Sequence, residues 1–464
     1  MKYIHRQVKS TVFRAYDIRG IIGEELDVDA YYSIGLAIAY RLSELNRTQI
    51  FLARDGRLTS PALALALKCS LIESGIDVVD LGAVATPVVY YATHTQGIDS
   101  GLIVTGSHNP SDYNGIKIVL SGKTLTQEDI EILYKLVTAG RRLSPSIKGQ
   151  ETSFDVMPEY IQRIVGGIIL KRKLKVVVDC GNGIAGPIVP QVLMDLGCEV
   201  IPLYCDVDGR FPNHHPDPTV ESNLVDLKAA VASHQADIGL AFDGDADRLG
   251  LVSNLGEMIK PDRLMMLYSR EILKRLIGAK IVFDVKCSSD LAKVIQSAAG
   301  IPIMCPTGHS IVKSVMKQEE AVLAGEMSGH LFFKDRWYGF DDALYSACRL
   351  LEIIGDSNLS VSEQFDFIPN SINTPELKID ISDEKKFDFM KIFSEQACFD
   401  EARIIKIDGV RAEFAHGWGL LRASNTTPGL IARFEAVDKE NLIMIQQLFK
   451  EQIHQLDAQL KLPF

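Results

Sequence analysis

The segment between Leu174 and Arg248 reads as four pieces: LKVVVDCGNG (174–183), VPQVLMDLG (189–197), CEVIPLY (198–204) and DIGLAFDGDADR (237–248). The first is a short β-branched run, the second has helical character and stops at Gly197, and the last two are again strand-like. The fourth delivers the chain into a polar loop that contains glycine. The same order occurs upstream in QIFLARD (49–55), SPALALALKCSLIES (60–74), IDVVDLG (76–82) and GLIV (101–104), which runs into TGSHNP (105–110). It occurs downstream in AKIVFDVKCSS (279–289), DLAKVIQSAAG (290–300), IPIMCP (301–306) and AVLAGEMSGH (321–330). Three strand–helix–strand units, each ending on a strand that feeds such a loop, predict three similar α/β domains with largely buried sheets. Ligands sit at the carboxyl ends of strands in sheets of this kind, so the three loops are expected to converge on one cleft. In the first unit, Ser60, Pro61 and Gly75 take the N-cap, first-turn and C′ positions of a helix.

Beyond about residue 367 the pattern changes. TPELKIDI (374–381), the amphipathic EKKFDFMKIFSEQA (384–397), the strands ARIIKIDGVRAEF (402–414), GWGLLRAS (417–424) and GLIARFEA (429–436), and the helix KENLIMIQQLFKEQIHQL (439–456) predict an antiparallel α+β domain. The expected fold is therefore α/β: three similar α/β domains with mixed sheets at 1–152, 153–256 and 257–367, and a C-terminal antiparallel α+β domain at 368–464.

Composition narrows the function. The 464 residues are 47% hydrophobic and 23% charged, a globular balance, with a net charge of −11. That charge argues against nucleic-acid binding, which relies on Lys and Arg. An anionic substrate would need a local basic cluster. Eight cysteines are scattered without a C-x-x-C pair, which signals neither a zinc site nor a disulfide framework and fits reduced, cytoplasmic thiols. MKYIHRQVKSTVF lacks the apolar core of a signal peptide, and no segment approaches the roughly 18 apolar residues of a membrane span. A cytoplasmic protein with no membrane partner is expected.

The loops carry the chemistry. Ser, Asn, Gly and Pro are ordinary turn residues, so TGSHNP by itself leaves Ser107 either a turn residue or a nucleophile. DGDADR places Asp243, Asp245 and Asp247 at alternate positions, which extended backbone would put on one side, and an all-oxygen set suits Mg²⁺. An EF-hand is rejected, because Arg248 and Asn254 stand where that loop wants Gly and Glu. GNGIAG (181–186) is literally G-x-G-x-x-G after a strand, but the acidic residue expected at the end of the next strand fits loosely, with Glu199 at its start and Asp206 beyond it. A glycine-lined turn that serves packing is the preferred reading. GEMSGH offers Glu326, Ser328 and His330, able to bond a polyol, with His330 a possible acid or base. PTGHS (306–310) adds His309 at a helix start, and RASNTTPG (422–429) combines Arg422 with Ser424, Asn425 and Thr426, a kit for gripping phosphate. Together these loops describe phosphoryl transfer on a polyol phosphate.

Seven motifs in order, FRAYDIRG (13–20), TGSHNP, FPNHHPDP (211–218), DGDADR, GEMSGH, RWYGFDD (336–342) and RASNTTPG, resemble the α-D-phosphohexomutase superfamily, most closely its bacterial phosphomannomutase/phosphoglucomutase group. The resemblance covers nearly the whole chain. It implies four domains around a deep active-site cleft, carrying in turn a phosphoserine loop, a metal-binding loop, a sugar-binding loop and a phosphate-binding loop. Ser107 is then the phosphoserine, and it joins Asp243, Asp245 and Asp247 as Mg²⁺ ligands. Arg19, Lys117 and Arg248 match positions near the transferring phosphate, and His330 an acid/base. Tyr16, Lys286, Gly308, His309, Glu326, Ser328, Arg422, Ser424, Asn425 and Thr426 match substrate contacts, the last four clamping the phosphate that is not transferred. Two departures stand out: Ala246 where many members have Gly, pointing away from the metal, and Met327 where phosphoglucosamine mutases typically carry Gln.

The implied activity is reversible transfer of phosphate between the 1- and 6-positions of glucose and mannose phosphates, through a phosphoserine enzyme and a glucose or mannose 1,6-bisphosphate. The implied partners are small hexose phosphates, with the chain read as a monomer. Three other readings compete: a phosphoglucosamine mutase, a Mg²⁺-dependent sugar-phosphate phosphatase using the same serine, and a dinucleotide enzyme using GNGIAG. A silent sugar-phosphate binder is disfavoured, since binding alone does not require a serine beside three carboxylates.

Overall fold

Strands β1 (Ile18–Ile21), β2 (Gln49–Arg54), β3 (Asp77–Ala83), β4 (Gly101–Val104), β5 (Tyr113–Leu120), β6 (Lys123–Thr124) and β7 (Glu151–Ser153) build the first sheet. Their order is β1-β5-β4-β2-β3-β7, with β6 on β5. β2 pairs in parallel with β3 and β4, whereas β5 runs antiparallel to β1 and β4, so the sheet is mixed. β4 is buried at every position, as its uniformly apolar GLIV requires. Helices α1 (Val28–Glu44), α2 (Ser60–Glu73) and α4 (Gln127–Thr138), with α3 (Thr86–Thr95) between them in sequence, supply the cover. Ile34, Leu67 and Leu133 pack into one core with Leu52, Leu102 and Ile116 of the strands. The computed structural model describes residues 3–424 and 429–464.

The start of α2 differs from expectation. Its N-cap is Thr59, and Pro61 sits in the first turn as expected. Ser60 turns its hydroxyl to Asp55 instead, donating to Oδ1 at 2.5 Å, because that buried carboxylate has greater need of a donor. Gly75 takes the left-handed conformation (φ 82°) expected just past the helix.

The second sheet comprises β8 (Lys175–Asp179), β9 (Glu199–Leu203), β10 (Ile238–Phe242), β11 (Leu249–Ser253) and β12 (Met258–Ile259), ordered β12-β11-β10-β8-β9. β8 is parallel to both neighbours and β11 antiparallel to both of its own. Helices α5 (Met157–Val165), α6 (Val189–Asp195) and α7 (Val225–His234) accompany it. In GNGIAG, Gly181 has φ 51°. A Cβ on Gly183 would meet the Gly244 carbonyl oxygen at 2.9 Å, and one on Gly186 would meet the Cys205 carbonyl oxygen at 1.8 Å. These glycines serve close backbone packing, as the sequence reading preferred.

The chain continues through α8 (Pro261–Leu273), β13 (Lys280–Asp284), α9 (Ser289–Ser297), β14 (Ile301–Cys305), α10 (His309–Gln318) and β15 (Leu323–Gly325), with β13 parallel to β14 and β15. After β16 (Leu331–Phe333), α11 (Ala343–Gly355) and α12 (Val361–Asp366) comes a six-stranded antiparallel sheet. It contains β17 (Ile372–Asn373), β18 (Leu377–Ile379), β19 (Arg403–Ile405), β20 (Val410–Phe414), β21 (Gly417–Ala423) and β22 (Leu430–Ala436). α13 (Asp383–Gln396) and α14 (Lys439–Leu456) complete this part, with Phe393, Phe399, Phe434 and Phe449 in its core. The architecture is thus three α/β portions followed by an antiparallel α+β portion.

Two compact units contain these sheets: residues up to Pro261 with Ser328–Asp366, and Asp262–Met327 with Phe367–Phe464. Among the described residues, no helix is long and apolar enough to cross a membrane.

The packing role of GNGIAG can be tested directly. Gly186→Ala drives a methyl into the Cys205 carbonyl and is expected to destabilise the protein by about 1–3 kcal/mol, read as a fall in denaturation midpoint. A dinucleotide titration of the unaltered protein is expected to show no binding, and an unchanged midpoint in the variant would reject the packing account.

Candidate active site

Where β4 ends, the chain turns sharply. Ser107 N donates to Thr105 Oγ1 (2.9 Å), Asn109 N donates to the Gly106 carbonyl (3.0 Å), and Ser107 itself sits at φ 49°. A left-handed non-glycine residue costs roughly 1–2 kcal/mol and needs surrounding structure to hold it. Arg57, 2% exposed, supplies much of that structure. It donates to the carbonyls of Ser107 (2.8 Å), Asn109 (2.5 Å), Pro110 (2.5 Å) and Tyr113 (3.1 Å). Asp55 accepts from Gly106 N at 3.1 Å, and Phe211 of FPNHHPDP lies 4.9 Å from the Arg57 guanidinium. From β1, Arg19 donates to the Gly106 carbonyl and to Asn109 Oδ1, both at 2.6 Å, while Asp17 holds its other nitrogen at 2.6 Å. Sequence reading found Arg19 but missed Arg57 and Asp55. The available signal was their position in ARDGR, just past the carboxyl end of β2.

The DGDADR loop comes up against this turn. Ser107 Oγ donates to Asp243 Oδ2 at 3.0 Å, with His108 Nδ1 3.2 Å away on its other side. Desolvation and the charges of Arg248 and Arg19 push the His108 imidazole well below its ordinary range. Contact between the loops depends on a missing side chain, because a Cβ on Gly244 would lie 2.4 Å from the Ser107 carbonyl oxygen.

Asp243, Asp245 and Asp247 are all fully buried and present carboxylate oxygens within 4.8 Å of one another. The expected extended backbone is not what gathers them. A turn does so: Ala246 N bonds to the Asp243 carbonyl (3.1 Å), Ala246 takes φ 63°, and Asp243 Oδ1 accepts from Asp247 N (3.0 Å) and Arg248 N (3.1 Å). Lys117 on β5 reaches Asp245 Oδ2 at 2.7 Å and also bonds Asp247, and Thr86 donates to Asp245 at 2.6 Å. Burial beside two other carboxylates raises the Asp243 carboxyl, whereas Asp247, despite its burial, is held low by Lys117 and His330. Asp245 Oδ1 is buried with no hydrogen-bond partner among the described residues. An all-oxygen, acid-rich cluster with an orphaned buried oxygen fits a hard divalent cation.

His330 also joins this unit. Its Nδ1 lies 2.8 Å from Ser328 Oγ, and its Nε2 lies 3.4 Å from Arg248 Nε and 3.3 Å from Asp247 Oδ1. An Nδ1–H tautomer serves Ser328 and Arg248 together, and a proton gained at Nε2 would face a carboxylate. Asp341 of RWYGFDD clusters with Asp247 and His330, a grouping the motif hinted at but sequence reading did not extract. Tyr16 sits half-exposed at the bend before β1.

The second unit gathers the remaining predicted residues. Lys286 contacts Glu376 (2.6 Å) and Asp284 (3.8 Å); burial opposes its charge, but these carboxylates keep its pKa raised. Asp284 also accepts from Thr307 Oγ1 (3.1 Å) and Met327 N (3.2 Å). Gly308, at φ 139°, donates its N–H to Glu326 at 2.7 Å, next to His309 at the start of α10. Arg422 and the Thr307 N–H share Asp408 Oδ2, at 2.9 and 3.0 Å, and Ser424 offers its carbonyl to Lys386 at 2.7 Å. Asp284 and Asp408 were missed, each standing at or just past a strand end. Asn425 and Thr426 lie outside the described residues.

A serine hydroxyl against a metal-fitting carboxylate cluster, flanked by buried cations, is equipped to hold and move a phosphoryl group. Models of the phosphoglucomutase/phosphomannomutase family match the chain consecutively: α/β/α domains I, II and III over residues 10–143, 158–256 and 260–371, and the C-terminal domain over 376–452. The Pseudomonas putida phosphomannomutase/phosphoglucomutase is 49% identical over 455 residues, 98% of each chain. The phosphoglucomutase of Neisseria meningitidis serogroup A is 48% identical over 441 residues, 95% of this chain and 96% of its own. A crystal structure of a family protein from Burkholderia thailandensis matches with a TM-score of 0.93 at 44% identity, covering 99% of this chain and all of that one. The chain belongs to the phosphoglucomutase/phosphomannomutase family.

Cation binding is predicted to raise the denaturation midpoint. At one hundred times the dissociation constant the gain is about 2.7 kcal/mol, and Asp245→Asn is expected to remove most of it. A midpoint indifferent to divalent cations would reject the site.

Proposed function

We propose that this protein is a phosphohexomutase that interconverts the 1- and 6-phosphates of glucose and mannose, with Ser107 as the phosphate carrier. The observation that carries this reading is the Ser107 hydroxyl, 3.0 Å from Asp243 in a turn held away from ordinary backbone geometry. Names of relatives at about half identity over nearly the whole chain support mutase activity over the alternatives.

Phosphoryl transfer asks the protein mainly for positioning and charge stabilisation. Phosphorylated Ser107 gives its phosphoryl group to the free 1- or 6-hydroxyl of a hexose phosphate. The bond from phosphorus to Ser107 Oγ breaks as the bond to the sugar oxygen forms, and the hydroxyl proton passes to a base, a role assigned to His330. The resulting 1,6-bisphosphate turns around and returns its other phosphoryl group to Ser107. Arg19, Lys117 and Arg248 offset the charge on the phosphoryl oxygens. Asp243, Asp245 and Asp247, with an oxygen of phosphorylated Ser107, would hold Mg²⁺, whose chemistry is neutralisation of phosphoryl charge. Tyr16, Lys286, Gly308, His309, Glu326 and Ser328 bind the sugar phosphate, and Arg422, Ser424, Asn425 and Thr426 bind the phosphate that stays. On this reading glucose or mannose 1,6-bisphosphate is intermediate and activator, and the protein acts as a cytoplasmic monomer with domains at 1–152, 153–256, 257–367 and 368–464.

A phosphorus NMR time course with glucose 1-phosphate, Mg²⁺ and a trace of glucose 1,6-bisphosphate tests the reaction, with mannose 1-phosphate in parallel. Growth of the 6-phosphate resonance is expected; growth of inorganic phosphate instead would identify a phosphatase. Ser107→Ala is expected to bind substrate but lose about 10³-fold or more in turnover. Unchanged turnover would dismiss the carrier role. Gly244→Ala, a position with no side chain to offer substrate, is expected to cost on the order of 10²-fold by moving the metal loop off Ser107. A kcat within twofold of the parent would show the loop contact to be unimportant.

A further inference from the structure

Two cysteines that are 25 residues apart meet where neighbouring strands end. Cys180 follows β8 and is fully buried, and Cys205 lies two residues past β9 and is half-buried. β8 and β9 are parallel with Asp179 opposite Leu203, and Cys180 N donates to the Leu203 carbonyl at 3.1 Å. This register brings the two sulfur atoms to 3.6 Å. We propose that Cys180 and Cys205 form an oxidation site at which a hydroperoxide makes a disulfide, and that this bond distorts the turn supporting the metal loop.

The sulfurs are suited to different roles. Cys205 has solvent access and therefore attacks first; Cys180, dry and adjacent, resolves. Burial raises the Cys180 thiol, and the contact with Cys180 lowers the Cys205 thiol. In the first step Cys205 sulfur bonds to one peroxide oxygen, the O–O bond breaks, and the other oxygen leaves as water or alcohol with the Cys205 proton. Cys205 is then a sulfenic acid. In the second step Cys180 sulfur attacks it, the S–S bond forms, the S–O bond breaks, and water leaves with the Cys180 proton. Two thiols lose two electrons and the hydroperoxide gains them. No other redox partner is needed.

Backbone contacts connect this pair to the site. A disulfide is about 2.0 Å long, so the sulfurs must close by about 1.6 Å. The Cys180 carbonyl accepts from Gly183 N at 2.7 Å, and Ile184 N donates to the Gly244 carbonyl at 3.1 Å. The Cys205 carbonyl oxygen abuts Gly186, where a Cβ would lie only 1.8 Å away. Movement of either cysteine is passed to the turn on which Gly244 rests, and Gly244 touches the Ser107 carbonyl.

The test is hydrogen peroxide treatment of the full-length protein, followed by non-reducing peptide mass spectrometry and, separately, the mutase assay. A 180–205 cross-linked peptide is expected, with activity lower by about tenfold and both changes reversed by dithiothreitol. Cys205→Ser and Cys205→Ala are expected to resist both changes. Cys180→Ser should stop at a Cys205 sulfenic acid that dimedone traps. Absence of the cross-link, or a cross-link only through exposed Cys398, overturns the site. A 180–205 cross-link with unchanged activity overturns the coupling. The effect on activity rests on the mutase reading, whereas the cross-link does not, so the two failures are distinguishable.

Discussion

The turn that carries Ser107 depends on one guanidinium. Arg57 donates to four carbonyl oxygens of the 107–113 stretch, while its partner Asp55 takes the Gly106 N–H. Buried carbonyls and amides without partners are costly, so this pair of residues makes one loop conformation far cheaper than others. It also stabilises the unusual φ of Ser107, from which the hydroxyl reaches Asp243. The fixed fork of arginine suits the task, since a lysine offers no comparable planar spread of donors.

Around that turn the charges are closely balanced. The protein is acidic as a whole, with net charge −11, yet Arg19, Lys117 and Arg248 are brought close to Ser107 and the carboxylates. Each has an acidic or imidazole neighbour: Asp17 for Arg19, Asp245 and Asp247 for Lys117, His330 for Arg248. Such pairing limits the cost of buried charge and holds the cations in fixed positions. The gathering of these cations inside an acidic protein is therefore a matter of local arrangement.

Much of this was legible in the sequence. The three strand–helix–strand repeats are visible because β-branched runs, helical stretches and glycines alternate in a regular order, and the structure has the corresponding α/β portions. The loop after β10 was legible because three aspartates at alternate positions are chemically conspicuous, whereas Ser107, in an ordinary turn composition, stood out only in company with the other loops and motifs. Residues acting on backbone atoms were harder to see. Arg57 bonds carbonyls that every residue possesses, so no side-chain pattern announces it. Ser60 looked like a helix cap because its flanking sequence permits one, and only the nearness of Asp55 redirects its hydroxyl. The aspartate loop was read correctly for composition but not for conformation, because a turn through Ala246 leaves little trace in alternating carboxylates. Cys180 and Cys205 looked scattered, because strand register, which joins them, is a property of the folded sheet.

The second unit has a consequence for synthesis on the ribosome. Arg411 donates to the carbonyls of Val285 and Cys287 at 2.6 and 2.8 Å while stacking 3.8 Å over Trp418, and Arg433 bonds the Lys286 carbonyl. The loop that carries Lys286 is thus fastened by side chains made more than a hundred residues later, across an intervening stretch that belongs to the first unit. A nascent chain stopped before β20 would have the Lys286 loop but not its fasteners. The Lys286 loop therefore gains these fasteners only when β20 to β22 have been made, whereas the first sheet has all its strands by Ser153.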